Sequence, residues 1–528
     1  MARLDLPDRY NAAEAFVDVH VREGRASWTA IYYQDEQITY GRVYEMVNRF
    51  GNALRELGVE RENRVFLLLP DSPELVYGYF GAMKIGAVPI PVNNRLTPEE
   101  YIYMLNDSRA KVLVIPETML ETAERIKREL RFTKRFIVQG AEQTGWFPLA
   151  GLLAAASPEL APAETSKDDM AFWLYSSGST GMPKGVVHLH HDWPYCCELY
   201  ARRILGVGPE DISFSVSKLF HAYGLGNGLM FPFWTGGATV LYPGVPRPEP
   251  FLETAERRRV TLFYGVPTFY AAALAIPELE KKYPLKRLRL CVSAGEPLPA
   301  ALFLRWKERF GVEILDGIGS TEVLHIYISS RPGEVKPGST GKPVEGYAVK
   351  IVDEEGSALP PGQTGTLWVK GESTTPFFWN KHDRTKQLLR GEWFNTGDRW
   401  YRDEEGYYWY AGRADDAFKC RGEWVEPVEI ENVLIEHEAV LESGVVGMKD
   451  NGGLDKPLAY VVLKEGFPSS AELAEELKNF TRAKLAGYKV PAQIRFVGEL
   501  PKTAAGKIQR YKLREQVREE LDKPMGPA

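Results

Sequence analysis

The chain has 528 residues, too many for one ordinary core, so length alone implies about two to four folding units. Its hydrophobic (44%) and charged (26%) fractions are those of a globular protein rather than a disordered or fibrous one. Lys plus Arg (65) nearly balances Asp plus Glu (71), which excludes a global field drawing the chain to nucleic acid; an anionic cofactor has to be met by local positive sites.

The N-terminal Met1-Ala2-Arg3-Leu4-Asp5-Leu6-Pro7 has no apolar core, so no signal peptide is expected. The apolar stretches at 65–69 and 75–92 are broken by Asp71, Glu74 and Lys84, too soon for a membrane span, and no membrane partner is expected. Cys196, Cys197, Cys291 and Cys420 form no C-x-x-C pair and no metal spacing; free thiols in a reducing cytoplasm follow.

In chain order, residues 40–57 form a helical pattern with Val43, Met46, Val47, Phe50, Leu54 and Leu57 on one face. Short β-rich runs follow at 65–69, 112–115, 136–138, 172–175, 261–264 and 290–292, separated by helical stretches. Their continuous hydrophobicity suits strands buried on both faces, and an α/β fold of helix-covered, mostly parallel sheets is expected. After about residue 345 the texture changes to short alternating or aromatic runs at 349–352, 365–369 and 406–410, with turns at Asp353-Glu354-Glu355-Gly356 and Asp403-Glu404-Glu405-Gly406; these predict a small antiparallel β subdomain over about 345–414. From about 415 to 528 a helix (428–437), strands (444–447, 458–463), a helix (471–485) and a strand (493–497) predict a small α+β C-terminal domain after a large N-terminal one spanning 1–414.

The most informative segment is Tyr175-Ser176-Ser177-Gly178-Ser179-Thr180-Gly181-Met182-Pro183-Lys184-Gly185, at the end of the strand predicted at 172–175. It makes a poor core segment and a good anion cradle: glycines let backbone N–H groups converge on phosphate oxygens, hydroxyls add donors, and Lys184 supplies a mobile charge. Its spacing is not that of a Walker A loop. A flexible Ser/Gly linker is the competing reading, disfavoured by the strand before it and the apolar Val186-Val187 after it.

This segment resembles the signature loop of the adenylate-forming superfamily: acyl-CoA synthetases, firefly luciferase and nonribosomal peptide adenylation domains. Further motifs fall in the family's order over about residues 25–515. The resemblance implies that Ser176, Ser177, Gly178, Ser179, Thr180, Gly181 and Lys184 hold the β- and γ-phosphates of ATP. In Asp316-Gly317-Ile318-Gly319-Ser320-Thr321-Glu322, which by itself reads as the end of a strand at 313–315, a glycine turn and a polar helix start, it implies Mg²⁺ at Glu322, the α-phosphate at Thr321, and nucleotide binding at Asp316. Ile318 departs from the pattern, since an aromatic residue usually stacks on adenine there. The resemblance further implies that Asp398, in an otherwise ordinary Thr396-Gly397-Asp398 turn, accepts from the ribose hydroxyls, and that Arg413 contacts ribose and phosphate.

The resemblance also implies a mobile C-terminal domain. Asp415 is its hinge, Lys507 the catalytic lysine bridging carboxylate and nucleotide, and Lys419 with Gly422 line the coenzyme A tunnel in a second pose. Cys420 beside them is not read as a nucleophile, because coenzyme A brings its own thiol.

For the acid, Phe220-His221-Ala222-Tyr223-Gly224 resembles the family segment beside the acyl pocket, which implies His221 at the gate position and Ala222, Tyr223, Gly295, Gly319, His325 and Ile326 as the wall. The bulk of Tyr223 and Ile326 favours a short, flat acid. The local wording resembles the benzoate–CoA ligase branch, implying ligation of benzoate or a close relative to coenzyme A through an acyl-AMP. A loader of carrier proteins and a catalytically silent nucleotide binder stay open as alternatives, and so does a homodimer.

Overall fold

The computed structural model describes residues 4–140, 142–176, 182–413, 416, 418–420, 423–449, 455–502 and 508–521. Two mainly parallel sheets fill the first two-thirds of the chain. The larger has nine strands in the order Lys342–Pro343, Ile326–Ser329, Ile314–Gly319, Leu290–Ala294, Leu262–Gly265, Ile212–Ser215, Ala238–Leu241, Thr29–Tyr33, Glu36–Thr39. From Ile314–Gly319 to Thr29–Tyr33 every pairing is parallel, and the antiparallel strands lie at the two edges. The smaller sheet runs Val88–Pro91, Arg64–Leu67, Val112–Pro116, Arg135–Gln139, Phe147–Pro148, all parallel.

Helices cover these sheets where the pattern places them. The helix Tyr40–Glu56 starts at Thr39, whose hydroxyl oxygen accepts the Arg42 N–H, and buries Val43, Met46, Val47, Phe50 and Leu54. The apolar stretch at 75–92 is a buried helix, Pro73–Lys84, followed by the strand Val88–Pro91. Lys84, which interrupts it, is fully buried and donates to Asp18 Oδ1 and Asn48 Oδ1, each at 2.7 Å, so its charge is paired rather than exposed. Among the described residues no helix is long and apolar enough to cross a membrane.

Two expectations need correction. The run at 172–175 is a strand, Met170–Ser176, but it belongs to neither parallel sheet; it pairs antiparallel with Lys184–Leu189 in a two-stranded hairpin. Its hydrophobicity is continuous because the hairpin lies between two cores, Phe172 packing in one and Trp173 in the other. Residue 316 does not follow a strand end: the strand Ile314–Gly319 continues through it, pairing with Ile326–Ser329.

Farther along, Ala348–Val352, Gly365–Lys370, Leu389–Arg390, Trp393–Arg402 and Tyr408–Arg413 form the antiparallel sheet. The C-terminal unit packs the helices Pro427–Glu436, Ala471–Arg482 and Arg510–Leu521 with the strands Val440–Lys449, Asp455–Leu463 and Gln493–Phe496. All four cysteines are free and buried, and burial pushes the Cys196 and Cys291 thiols up to about 12.

Candidate active site

The segment expected to hold phosphate connects the two strands of the hairpin in sequence. Ser176 and Lys184 stand opposite each other at its mouth; Ser177, Gly178, Ser179, Thr180 and Gly181 lie outside the described residues. The hairpin is strapped from outside by Trp379, whose backbone N–H donates to the Gly185 carbonyl at 2.9 Å and whose ring lies 4.6 Å from that of Trp173. Tyr175 donates its hydroxyl proton to Asp107 Oδ2 at 2.9 Å. The Lys184 pKa is lowered by burial first, then by Arg384; Glu322 acts in the opposite sense, and Arg413 adds to the depression. Residues from four distant stretches of chain therefore share one electrostatic neighbourhood.

Thr321 and Glu322 ride on a short 3₁₀ turn, Thr321–Val323, whose entry is capped by Ser320 accepting the Val323 N–H at 3.3 Å. Three successive carbonyls of this turn are each held from elsewhere. His188 Nε2 lies 2.8 Å from the Thr321 oxygen, with its Nδ1 2.7 Å from Asp192 Oδ2. The Thr375 N–H donates to Glu322 O at 2.7 Å, and the Ser373 hydroxyl to Val323 O at 2.8 Å. With its backbone pinned, the turn has few ways to relax as charge shifts near its side chains.

Asp398 and Arg413 are register partners across two strands, Arg413 Nε lying 3.3 Å from Asp398 Oδ1. Gly397 has φ +72°, a conformation that favours glycine, and the Asp398 N–H donates to Thr396 Oγ1 at 3.1 Å. Beneath them Tyr327 is fully buried; burial pushes its hydroxyl up, and the charges of Asp398 and Glu322 push it further. Asp316 is buried in its strand, with Oδ2 accepting from the Thr340 hydroxyl at 2.9 Å, and burial raises its carboxyl to about 7.

The residues expected to wall the acid approach one another from two directions. A Cβ on Gly319 would lie 2.6 Å from the His325 carbonyl oxygen, and one on Gly317 2.8 Å from Ile326, so the two glycines let these strands close up. His325 Nε2 lies 3.4 Å from the Tyr223 carbonyl, and its ring stands among Trp193, Tyr200, Tyr223 and Phe231. Burial lowers His325 to about 3, leaving a neutral imidazole. Tyr223 donates its hydroxyl proton towards the Gly265 and Val292 carbonyls at 3.1 and 3.2 Å, and Ala222 is buried beside it. Gly295, with φ +96°, directly follows the strand Leu290–Ala294. His221 lines a cavity of about 330 Å³ with Arg95, Lys218, Phe220, Val266 and Lys502, a space that none of Ala222, Tyr223, His325 and Ile326 lines.

Asp415, Gly422 and Lys507 lie outside the described residues, and so does the side chain of Lys419, whose backbone is in the strand Phe418–Cys420. Their neighbours are placed. Ile508, one residue beyond Lys507, donates its N–H to Glu296 Oε1 at 2.8 Å, next to Gly295. Asp416 binds Arg514 at 2.6 Å, and Arg399 reaches Glu426 at 2.8 Å. Glu296, His188 and Tyr327 escape the sequence reading. The i,i+4 spacing of His188 and Asp192 is visible in the sequence, whereas nothing local marks the other two.

Residues 18–379 match the AMP-binding enzyme family, and residues 429–507 its C-terminal domain. The chain is 45% identical over 513 residues to a benzoate–CoA ligase of Thauera aromatica, covering 97% of each. Its structure matches that of the anthranilate CoA ligase AuaEII in complex with anthranoyl-AMP at a TM-score of 0.95, with 42% identity over 98% of this chain and 99% of that one. A benzoate CoA ligase from Burkholderia xenovorans LB400 matches at 0.89, with 43% identity over 96% of this chain and 100% of that one. The chain belongs to the AMP-binding enzyme family.

Proposed function

We propose that the chain joins benzoate, or a closely related aryl carboxylic acid, to coenzyme A through an acyl-AMP, releasing AMP and pyrophosphate. The observation that carries this reading is the gathering of Lys184, Glu322, Asp398 and Arg413 at one place, with Tyr327 beneath the two acids. It combines a cation for phosphate, a carboxylate for a phosphate-bound metal, and an acid–guanidinium pair for ribose.

A carboxylate resists acyl transfer because its charge repels nucleophiles and oxide is not a leaving group. Its oxygen therefore attacks the α-phosphorus; the new O–P bond forms as the bond to the β-phosphate breaks, and pyrophosphate carries away the electron pair. Thr321 on its pinned turn meets the α-phosphate, Asp398 accepts from the ribose hydroxyls, Arg413 spans ribose and phosphate, and Asp316 lies under the nucleotide. Ser176 and Lys184, with the loop between them, take the outer phosphates, and Lys507 bridges carboxylate and nucleotide. The hydrogen bond from Ile508 to Glu296 supports that last role, because it holds the adjoining segment next to Gly295.

Among the described residues no group of three or more acidic, His or Cys side chains could cage a metal, which suits Mg²⁺ held by Glu322 and the phosphates themselves. When bound, that ion neutralises phosphate charge.

In the second half the thiol gives up its proton to solvent and its sulfur attacks the acyl carbon; the C–S bond forms as the C–O bond to AMP breaks, and AMP leaves with the electron pair. The cavity beside His221, where Arg95 stands with the ion pairs Lys218–Asp71 and Lys502–Glu442, is the space we assign to the slim arm of coenzyme A. Rotation about Asp415 brings Lys419 and Gly422 to the site for this step. The ring-lined wall of Ala222, Tyr223, Gly295, Gly319, His325 and Ile326 favours a flat acid, with His221 at its gate.

The test is AMP release from ATP and Mg²⁺, with and without coenzyme A, against benzoate, 4-hydroxybenzoate, 2-aminobenzoate, hexanoate and acetate. Coenzyme A-dependent turnover, fastest on an aromatic acid, is expected. Turnover on hexanoate or acetate alone overturns the aryl reading; acid-dependent pyrophosphate exchange without thioester formation replaces it with carrier loading.

A further inference from the structure

Beyond the phosphate hairpin lies an open pocket of about 360 Å³, lined by Tyr103, Met182, Lys184, Lys381 and Arg384. Three cations and a phenol face one space, and no carboxylate is among its described lining residues. Asp107, the acid whose charge reaches Lys381, already accepts the Tyr175 hydroxyl.

The basic residues are held there by the fold. Trp379, two residues before Lys381, is bonded to Gly185 of the hairpin and lies under the guanidinium groups of Arg64 and Arg109, at 5.4 and 5.7 Å. Thr385 accepts the Phe378 N–H at 3.1 Å and donates to the Lys381 carbonyl at 2.9 Å, so Lys381 and Arg384 sit on a fastened turn. Lys381 Nζ lies 5.7 Å from the centre of the Tyr103 ring. Arg384 Nη1 donates to Gln387 Oε1 at 2.8 Å, while its Nε is buried and has no hydrogen-bond partner among the described residues.

Like charges held together without a carboxylate repel one another, and a polyvalent anion relieves that repulsion. We propose that Lys381 and Arg384, together with Lys184, form a receiving site for inorganic pyrophosphate as it leaves the nucleotide. The two residues bind the leaving group and touch neither the acid nor the nucleoside. The assignment to pyrophosphate rests on the adenylate-forming reading above; the anion site rests on the pocket.

The variants are Lys381→Gln, Arg384→Gln, the double variant, and the charge-preserving pair Lys381→Arg and Arg384→Lys. Calorimetry measures binding of inorganic pyrophosphate, with and without Mg²⁺, using AMP as the control ligand that lacks the outer phosphates. Acid-dependent exchange of labelled pyrophosphate into ATP gives the KM for pyrophosphate. The double variant is expected to weaken pyrophosphate binding and raise that KM at least tenfold, to leave AMP within twofold, and to be largely rescued by the charge-preserving pair. Pyrophosphate affinity and KM within twofold of the parent overturn the proposal, as does an equal loss of AMP. Pyrophosphate binding that depends on these residues, in a protein that exchanges with no acid, keeps the anion site and removes the adenylate-forming reading. Normal exchange that the variants do not alter removes the site alone.

Discussion

Ile508 donates its backbone N–H to Oε1 of Glu296 at 2.8 Å, tying two residues 212 positions apart. The bond places the chain just after Lys507 against the end of the central strand Leu290–Ala294. A hydrogen bond to a charged acceptor contributes about 1.5–3 kcal/mol. Glu296→Ala is therefore expected to slow acid-dependent pyrophosphate exchange by about ten- to a hundredfold, while conversion of supplied benzoyl-adenylate and coenzyme A to thioester continues at the parental rate. Equal losses in the two half-reactions would show that the bond only stabilises the fold.

Lys507 and Gly422 are expected to divide the same two steps. Lys507→Ala removes the bridging charge, so adenylation falls at least a hundredfold while supplied adenylate still gives thioester. Gly422→Trp fills the tunnel and does the reverse. Single-turnover measurements of each half-reaction decide it, and two variants with one shared phenotype would sink the alternation of poses.

Asp316 carries a pH-dependent cost. Burial raises its carboxyl from 3.8 to about 7, so between those values the native state binds the proton that the unfolded chain has released. Its contribution therefore falls as pH rises through the window, and the penalty is complete above pH 7. Each tenfold change in proton affinity is worth about 1.4 kcal/mol, so a few kcal/mol are at stake. Asp316→Asn without nucleotide is expected to melt higher than the parent at pH 8 and nearly with it at pH 4; a constant difference across that range refutes the assignment.

Acid should weaken the fold through buried histidines. His190 accepts the Ala12 N–H on Nδ1 at 3.0 Å, and His20 accepts the Arg25 Nε–H at 2.9 Å. Burial lowers both to about 4; Asp169, Arg61 and His191 act on His190, and Arg25 and Glu23 on His20. Between pH 6.5 and 4 the unfolded chain binds protons that the native one does not, so stability falls by about 1.4 kcal/mol per pH unit for each. Denaturant titrations at pH 7, 6 and 5 should trace this slope, and His190→Gln should remove one proton's share of it. A slope unaltered by that substitution would mean that His190 does not titrate on unfolding.

Elements built from neighbouring residues were legible in the sequence: the helix Tyr40–Glu56, the strands Arg64–Leu67, Val112–Pro116 and Leu290–Ala294, and the antiparallel sheet after residue 345. The convergence of Lys184 with Arg384 and Glu322 was not, because they come near one another only through packing. Local pattern also misassigned the strand Met170–Ser176, since burial on both faces looks alike in a parallel sheet and in a hairpin between two cores. Glu296 carried no signal at all: its partner is a backbone amide in the other unit, and a backbone amide leaves no trace in side-chain identity.

The hairpin's position between two cores has a consequence for how such a chain diverges. Its strand leans on one core through Phe172 and on the other through Trp173, and Phe172 stacks on Trp193, whose ring is 6.2 Å from that of His325. A substitution around His325 is therefore passed through Trp193 to the hairpin. A lineage that reshapes this cluster has to do so in steps that leave Trp193 in place.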